Sequence, residues 1–153
     1  MNNQDSHAYL IEAPMADSAK STAATVARVL IVDDHPAVRR GLCDIVSREP
    51  DLQICGEAGN LSEAREKMRE QSPDVIIIDI FLKNEDGLEL IREARQTTPT
   101  AKTLVCSMHP PSSYAKEAIG AGASGYISKA EAVEQLTAAI RTVMSGDTYV
   151  GND

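Results

Sequence analysis

With 153 residues, of which 42% are apolar and 25% charged, the chain has enough material for one domain around a single core. A formal charge of −8 excludes a surface that by itself wraps a phosphate backbone, and 3% aromatics with no Trp exclude a stacking platform for single-stranded nucleic acid. No apolar stretch approaches the roughly 20 residues of a membrane span, no secretory signal opens the chain, and Cys43, Cys55 and Cys106 lie far apart without a CxxC, which points to free thiols in a reducing, cytoplasmic setting.

Residues 1–27 mix small and polar side chains without periodicity, so a mostly disordered extension is expected there, with a short docked piece around Tyr9–Ile11. Order is expected from Arg28. The first apolar run, Val29–Val32, reads as a strand, and Val38, Leu42 and Ile45 mark one face of a helix opened by Pro36. Leu52–Cys55 predicts the second strand. Asn60-Leu61-Ser62-Glu63 has the form of a capping box, followed by Leu61, Ala64 and Met68 on one helical face and a stop at Pro73. Val75–Ile78 has no polar face and must be buried on both sides of a sheet, yet it is closed by Asp79. Asp86 can cap the next helix after Gly87, with Leu88, Ile91 and Ala94 inward and a stop at Pro99.

Thr103–Cys106 predicts the fourth strand. A weaker helix over 112–121 carries Tyr114, Ala118 and Ile119, and Gly125–Ser128 is the fifth strand. The last helix is marked by Val133, Leu136, Ile140 and Val143 and ends at Gly146. Short strands alternating with helices predict an α/β fold: a flavodoxin-like, doubly wound parallel sheet of five strands with five helices, in three α/β/α layers.

In such a sheet, ligands bind beyond the carboxyl ends of the strands. The first strand exits at Asp33-Asp34, the third at Asp79, the fourth at Ser107 and the fifth at Lys129. With strand order 2-1-3-4-5 the three acids converge, and carboxylates about 4 Å apart repel by roughly 4 kcal/mol per pair at an effective dielectric near 20. Either protons stay on or a cation sits among them. Few side-chain donors and hard oxygen ligands favour Mg²⁺ (Mn²⁺ is the alternative) over zinc or a caged Ca²⁺. A hydroxyl and an ammonium on the other side of Asp79 suit an aspartate that attacks a phosphoryl group.

Those residues, with VLIVDDHP (29–36), DVIIID (74–79), LVCS (104–107) and GASGYISK (122–129), resemble the receiver domain of two-component response regulators over about residues 28–148. The segments DDHP, GASGYISKAE and AIRTVMSGDTYV are similar to the NarL/FixJ (LuxR-type) class. The resemblance implies that Asp79 accepts a phosphoryl group from a histidine kinase. It implies that Asp34, Asp79 and the backbone carbonyl of Phe81 ligate Mg²⁺, with Asp33 acting mainly through water. Ser107 and Lys129 would contact the phosphoryl group, and Tyr126 would change rotamer with Ser107, altering the face of the fourth helix, fifth strand and fifth helix. It further implies that residues 149–153 begin a linker to a C-terminal helix-turn-helix domain, through which alone DNA would be bound, and that activation can drive homodimerisation.

Departures from the family pattern are Ala130 in place of a proline, Lys83 where a proline is common, the bulky Phe81, and Met108 after Ser107. Phe81 and Met108 predict restricted water access and a phosphorylated state lasting minutes or longer. His35 and His109 flank the site; Mg²⁺ prefers oxygen, so His35 is expected simply to sit at a helix entrance. A phosphatase of the haloacid dehalogenase type needs an acid two positions after the nucleophile, where Asp79 has Phe81 and Asp33 has His35. No turnover of an external substrate is therefore expected. A phosphorylation-independent interaction module and a stand-alone receiver remain the alternatives.

Overall fold

The computed structural model describes residues 25–153; of the extension expected over residues 1–27, residues 1–24, including Tyr9–Ile11, lie outside the described residues. In chain order the elements are β1 (Ala27–Val32), α1 (Pro36–Ser47), β2 (Leu52–Ala58), α2 (Leu61–Gln71), β3 (Val75–Ile78), β4 (Phe81–Leu82), β5 (Glu85–Asp86), α3 (Gly87–Thr97), β6 (Lys102–Ser107), α4 (Pro111–Ala121), β7 (Gly125–Ser128), a 3₁₀ turn (Lys129–Glu131), α5 (Ala132–Met144) and β8 (Tyr149–Val150). The main sheet is parallel, in the order β2-β1-β3-β6-β7-β8.

Alternation along the strands builds the three layers. Ile76 and Ile78 of β3 point with Leu30, Val32, Val105 and Tyr126 toward α2, α3 and α4. Val75 and Ile77 point with Val29, Ile31, Leu104 and Ile127 toward α1 and α5. Successive side chains of a strand face opposite ways, so β3, covered on both sides, is apolar at every position.

The caps behave as the spacing predicts. Asn60 accepts from the Glu63 N–H at 2.8 Å while Glu63 reaches back to the Gly59 N–H at 2.8 Å, and Asp86 accepts from the Leu88 N–H at 2.9 Å.

The structure refines the expected elements at four points. The first strand begins at Ala27, one residue before Arg28, because the Ala27 N–H finds the Asp51 carbonyl at 3.0 Å. The five expected strands form the sheet, and Tyr149–Val150, expected to begin a linker, adds a short sixth by pairing in parallel with Gly125 and Tyr126 of β7. A reversal at Gly146 (φ +98°) turns the chain back onto the sheet edge. The loop after Asp79 also closes into a hairpin, with Phe81 opposite Asp86 and Leu82 opposite Glu85. Finally, Val133 is 72% exposed, and Ala132 takes the inward position. Starting the helix at Ala132 puts Ala132, Leu136, Ala139, Ile140 and Val143 on one stripe, and Val133 falls beside it.

Candidate phosphoacceptor site

Hydrogen bonds run past the strand ends and fix what stands there. The Asp79 N–H donates to the Val32 carbonyl at 3.0 Å, and the Asp33 N–H to the Ala58 carbonyl at 3.0 Å. The residues that follow β1 and β3 are therefore neighbours. Asp33 (1% exposed) and Asp79 (4%) are buried, whereas Asp34 is half-buried.

Between the two buried acids lies one cation. Lys129 Nζ is 2.7 Å from Asp33 Oδ2 and 2.8 Å from Asp79 Oδ2, and only the second contact has the angle of a hydrogen bond. Burial works against the ammonium, but Asp33 and Asp79 outweigh it and hold Lys129 above its ordinary pKa. Asp79 Oδ1 accepts from the Phe81 N–H at 2.9 Å. Ser107 is fully buried on β6, and its Oγ accepts from the His109 N–H at 3.1 Å, which leaves the hydroxyl proton for another acceptor. Tyr126 is also fully buried, and its hydroxyl donates to the His109 carbonyl at 3.1 Å. Burial pushes the Tyr126 phenol up.

One lysine faces three carboxylates, so negative charge is left over. Asp33 Oδ2 and Asp34 Oδ1 are buried atoms with no hydrogen-bond donor, though Lys129 touches the first and His35 Nδ1 lies 3.0 Å from the second. Asp33, Asp34 and His35 each offer one ligand atom within 4.8 Å of the others, and Asp79 stands outside that trio, joined to Asp33 through Lys129. Under-satisfied buried carboxylate oxygens in a group of this kind fit a hard divalent cation, since oxygen is the donor such ions select.

Several further groups support the site. The Lys83 N–H donates to Asp34 Oδ2 at 2.8 Å, a bond that a proline at this position would delete. Arg39 Nη1 donates to the Asp33 carbonyl at 2.6 Å and steadies the turn leaving β1. A Cβ on Gly87 would lie 2.6 Å from the Asp79 carbonyl oxygen and 2.6 Å from Ile80 Cα, so the helix entrance can approach the acid's backbone only as glycine. His109 does not face the acids. Its ring packs at a tilt against Phe81 (4.5 Å between centroids) and edge-on against Tyr114 (5.1 Å), which ties the loop after Asp79 to α4. His35, expected as a plain helix entrance, does precede α1 without capping it, but its ring lies against Asp34 and Asp33. Met108 is 75% exposed and lines a groove between α1 and α5 with Val38, Val133 and Lys129.

Comparison with known proteins agrees with this geometry. The family model of the response regulator receiver domain matches residues 29–141. The DNA-binding transcriptional activator DevR/DosR of Mycobacterium tuberculosis is 35% identical over 125 residues, 82% of this chain and 58% of that protein. The oxygen regulatory protein NreC of Staphylococcus haemolyticus is 36% identical over 80% of this chain and 57% of its own length. The chain thus spans a little over half the length of these curated relatives. Among solved structures, a LuxR-family two-component response regulator from Aurantimonas sp. SI85-9A1 superposes with a TM-score of 0.77 at 36% identity, covering 82% of this chain and 89% of that one. The alternating sheet, the acids at its carboxyl edge and these matches lead to one conclusion: the chain belongs to the response regulator receiver domain family, in its NarL/FixJ (LuxR-type) class.

Proposed function

We propose that this domain is a phosphorylation switch in which a histidine kinase is the phosphoryl donor and Asp79 the acceptor. The observation that supports it most is the buried pair Asp33 and Asp79 bridged by Lys129, with carboxylate oxygens of Asp33 and Asp34 left without hydrogen-bond donors beside it. An isolated structural aspartate would not be gathered with two more acids in a place so poor in water.

In this reading a carboxylate oxygen of Asp79 attacks phosphorus, the P–N bond of the donor phosphohistidine breaks, and its electron pair leaves on the imidazole. Asp34, Asp79 and the Phe81 carbonyl would hold Mg²⁺, with Asp33 acting mainly through water. When bound, the ion supplies charge neutralisation on the phosphoryl oxygens. Lys129 already holds Asp79 Oδ2 and can pass to a phosphoryl oxygen without travelling far. Ser107 donates its free hydroxyl proton to another. Phe81, packed against His109 and Tyr114, restricts attacking water, so the acyl phosphate lasts minutes or longer. The signal leaves through Tyr126 to the face made by α4, β7 and α5, where a homodimer forms. Transcriptional output through a DNA-binding domain beyond Asp153 is supported by the names of the relatives, of which DevR/DosR is a DNA-binding transcriptional activator. Among the described residues no helix is long and apolar enough to cross a membrane, and a cytoplasmic site of action fits the family.

The test is intact mass after incubation with acetyl phosphate and Mg²⁺. One added phosphoryl group is expected, absent in Asp79→Asn and absent in EDTA. Labelling of the Asp79→Asn protein rejects the assignment of the acceptor.

A further inference from the structure

Met108 (75% exposed) and Val133 (72%) are the two most exposed large apolar side chains among the described residues. Both line the groove between α1 and α5, a space of about 390 Å³, together with Val38 and Ile45 of α1. Lys129, which bridges Asp33 and Asp79, lies at one end of the groove. Arg48, just past the last turn of α1, lies at the other, and Asp44 stands on the rim. Apolar side chains gathered in the open between two cations fit an occupant that is apolar in its middle and acidic at one end.

This chain contains such a segment. Within residues 1–24, Tyr9-Leu10-Ile11 is the only run of large apolar side chains, and Glu12 follows it directly. The chain also joins the described fold at the matching end of the groove. The Ala27 N–H donates to the Asp51 carbonyl at 3.0 Å, so β1 begins beside the turn that follows Arg48. From there the groove runs along α1, whose 12 residues span roughly 18 Å. Thr25 lies 14 positions after Ile11, a stretch that reaches up to about 46 Å when extended. Direction agrees as well: a chain climbing from Arg48 toward Met108 places Glu12 first, with Ile11, Leu10 and Tyr9 above it. The smaller cavity beside Thr25, about 190 Å³, is rimmed by Arg141 and Asp51, which already hold each other.

Resting on the acceptor reading above, we propose that residues 9–12 seat in the α1/α5 groove of their own chain and shield Asp79 from its phosphoryl donor. Tyr9, Leu10 and Ile11 cover Met108 and Val133, and Glu12 pairs with Arg48. Lys129 lines the groove and holds Asp79, so a segment seated there crowds the approach to the acid. The tether keeps the segment at an effective concentration near millimolar. A contact of only a few side chains is then formed most of the time, and a partner that needs the groove must displace it.

The experiment compares the full chain with its Tyr9→Ser/Leu10→Ser/Ile11→Ser variant, by methyl NMR and by the rate at which acetyl phosphate and Mg²⁺ add a phosphoryl group, read by intact mass. The substitutions lie outside the core, so the fold is kept. In the variant the Met108 and Val133 methyl signals should shift while those of buried Val29 and Val75 stay, and labelling should run about threefold faster. Arg48→Glu should label at the same faster rate, and adding Glu12→Arg to it should restore the parent rate. Unmoved methyls overturn the proposal, as do shifts without a change in rate, and both leave the acceptor assignment standing. Parent signals that move toward the variant's on dilution would place a second copy in the groove and overturn it too. If no chain gains a group, the acceptor reading fails and the shielding with it, while the methyls still report whether the segment is seated.

Discussion

Strand β3 is bracketed by two aspartates, and they live in opposite worlds. Asp74, just before the strand, is half-buried and accepts the Arg28 N–H at 2.8 Å, and Arg141 pairs with both Asp51 and Glu49 in the open. Asp79, just after the strand, is buried with Asp33 around a single lysine, with Asp34 alongside. One end of the sheet is closed by ion pairs in the open, and the other is left with surplus charge where water is scarce. The difference shows that position after a strand does not make an acid functional. What matters is whether the acids near it outnumber the cations where water is scarce.

Lys129→Ala tests this contrast most severely. It leaves Asp33 and Asp79 buried without their shared counter-ion and should lower stability by about 3 kcal/mol in EDTA, as broken buried pairs do, with partial recovery in excess Mg²⁺. Urea midpoints in the two buffers measure it; equal midpoints for variant and parent would mean that the site carries no surplus charge. Next comes one substitution made at both ends of β3. Asp34→Asn keeps an oxygen for the Lys83 N–H but removes a charge, and should raise stability in EDTA by about 1 kcal/mol, an advantage that Mg²⁺ binding to the parent erases. Asp74→Asn should bring no such gain.

A pH ramp sharpens the comparison further. Lys129 lies above its ordinary value because of Asp33 and Asp79, and burial pushes Cys106 from 9.0 up to about 12. Both pKa values are higher folded than unfolded, so their contribution is complete below pH 9 and drains away as pH climbs toward 12. Lys129→Ala should flatten the upper part of that loss, as read by thermal melts. The smallest effect belongs to the closed end. Arg141→Ala should move the midpoint less than any of these, and high salt should abolish the difference, because its partners are exposed.

Much of this architecture is written locally. Apolar runs, helical stripes and caps such as Asn60 and Asp86 act over a few residues, so strands β1, β2, β3, β6 and β7, the five helices and their order can be read from the sequence. The acids, Ser107 and Lys129 are legible for the same reason: each closes a strand, and a parallel sheet aligns strand exits. Val133 was misplaced because helical spacing alone tolerates a shift of one residue, and only packing of α5 against β6 and β7 selects Ala132.

Other features depend on partners distant in the chain. The grip of Lys83 on Asp34, the ring cluster of Phe81 with His109 and Tyr114, and the return of Tyr149–Val150 to the sheet edge join groups that no local pattern links. Sequence by itself determined which chemical groups stand at the carboxyl edge of the sheet, since strand periodicity and exit position are short-range properties. Tertiary structure alone decided how their charges are shared and what covers the far edge, because those outcomes rest on distances between segments that only folding brings together.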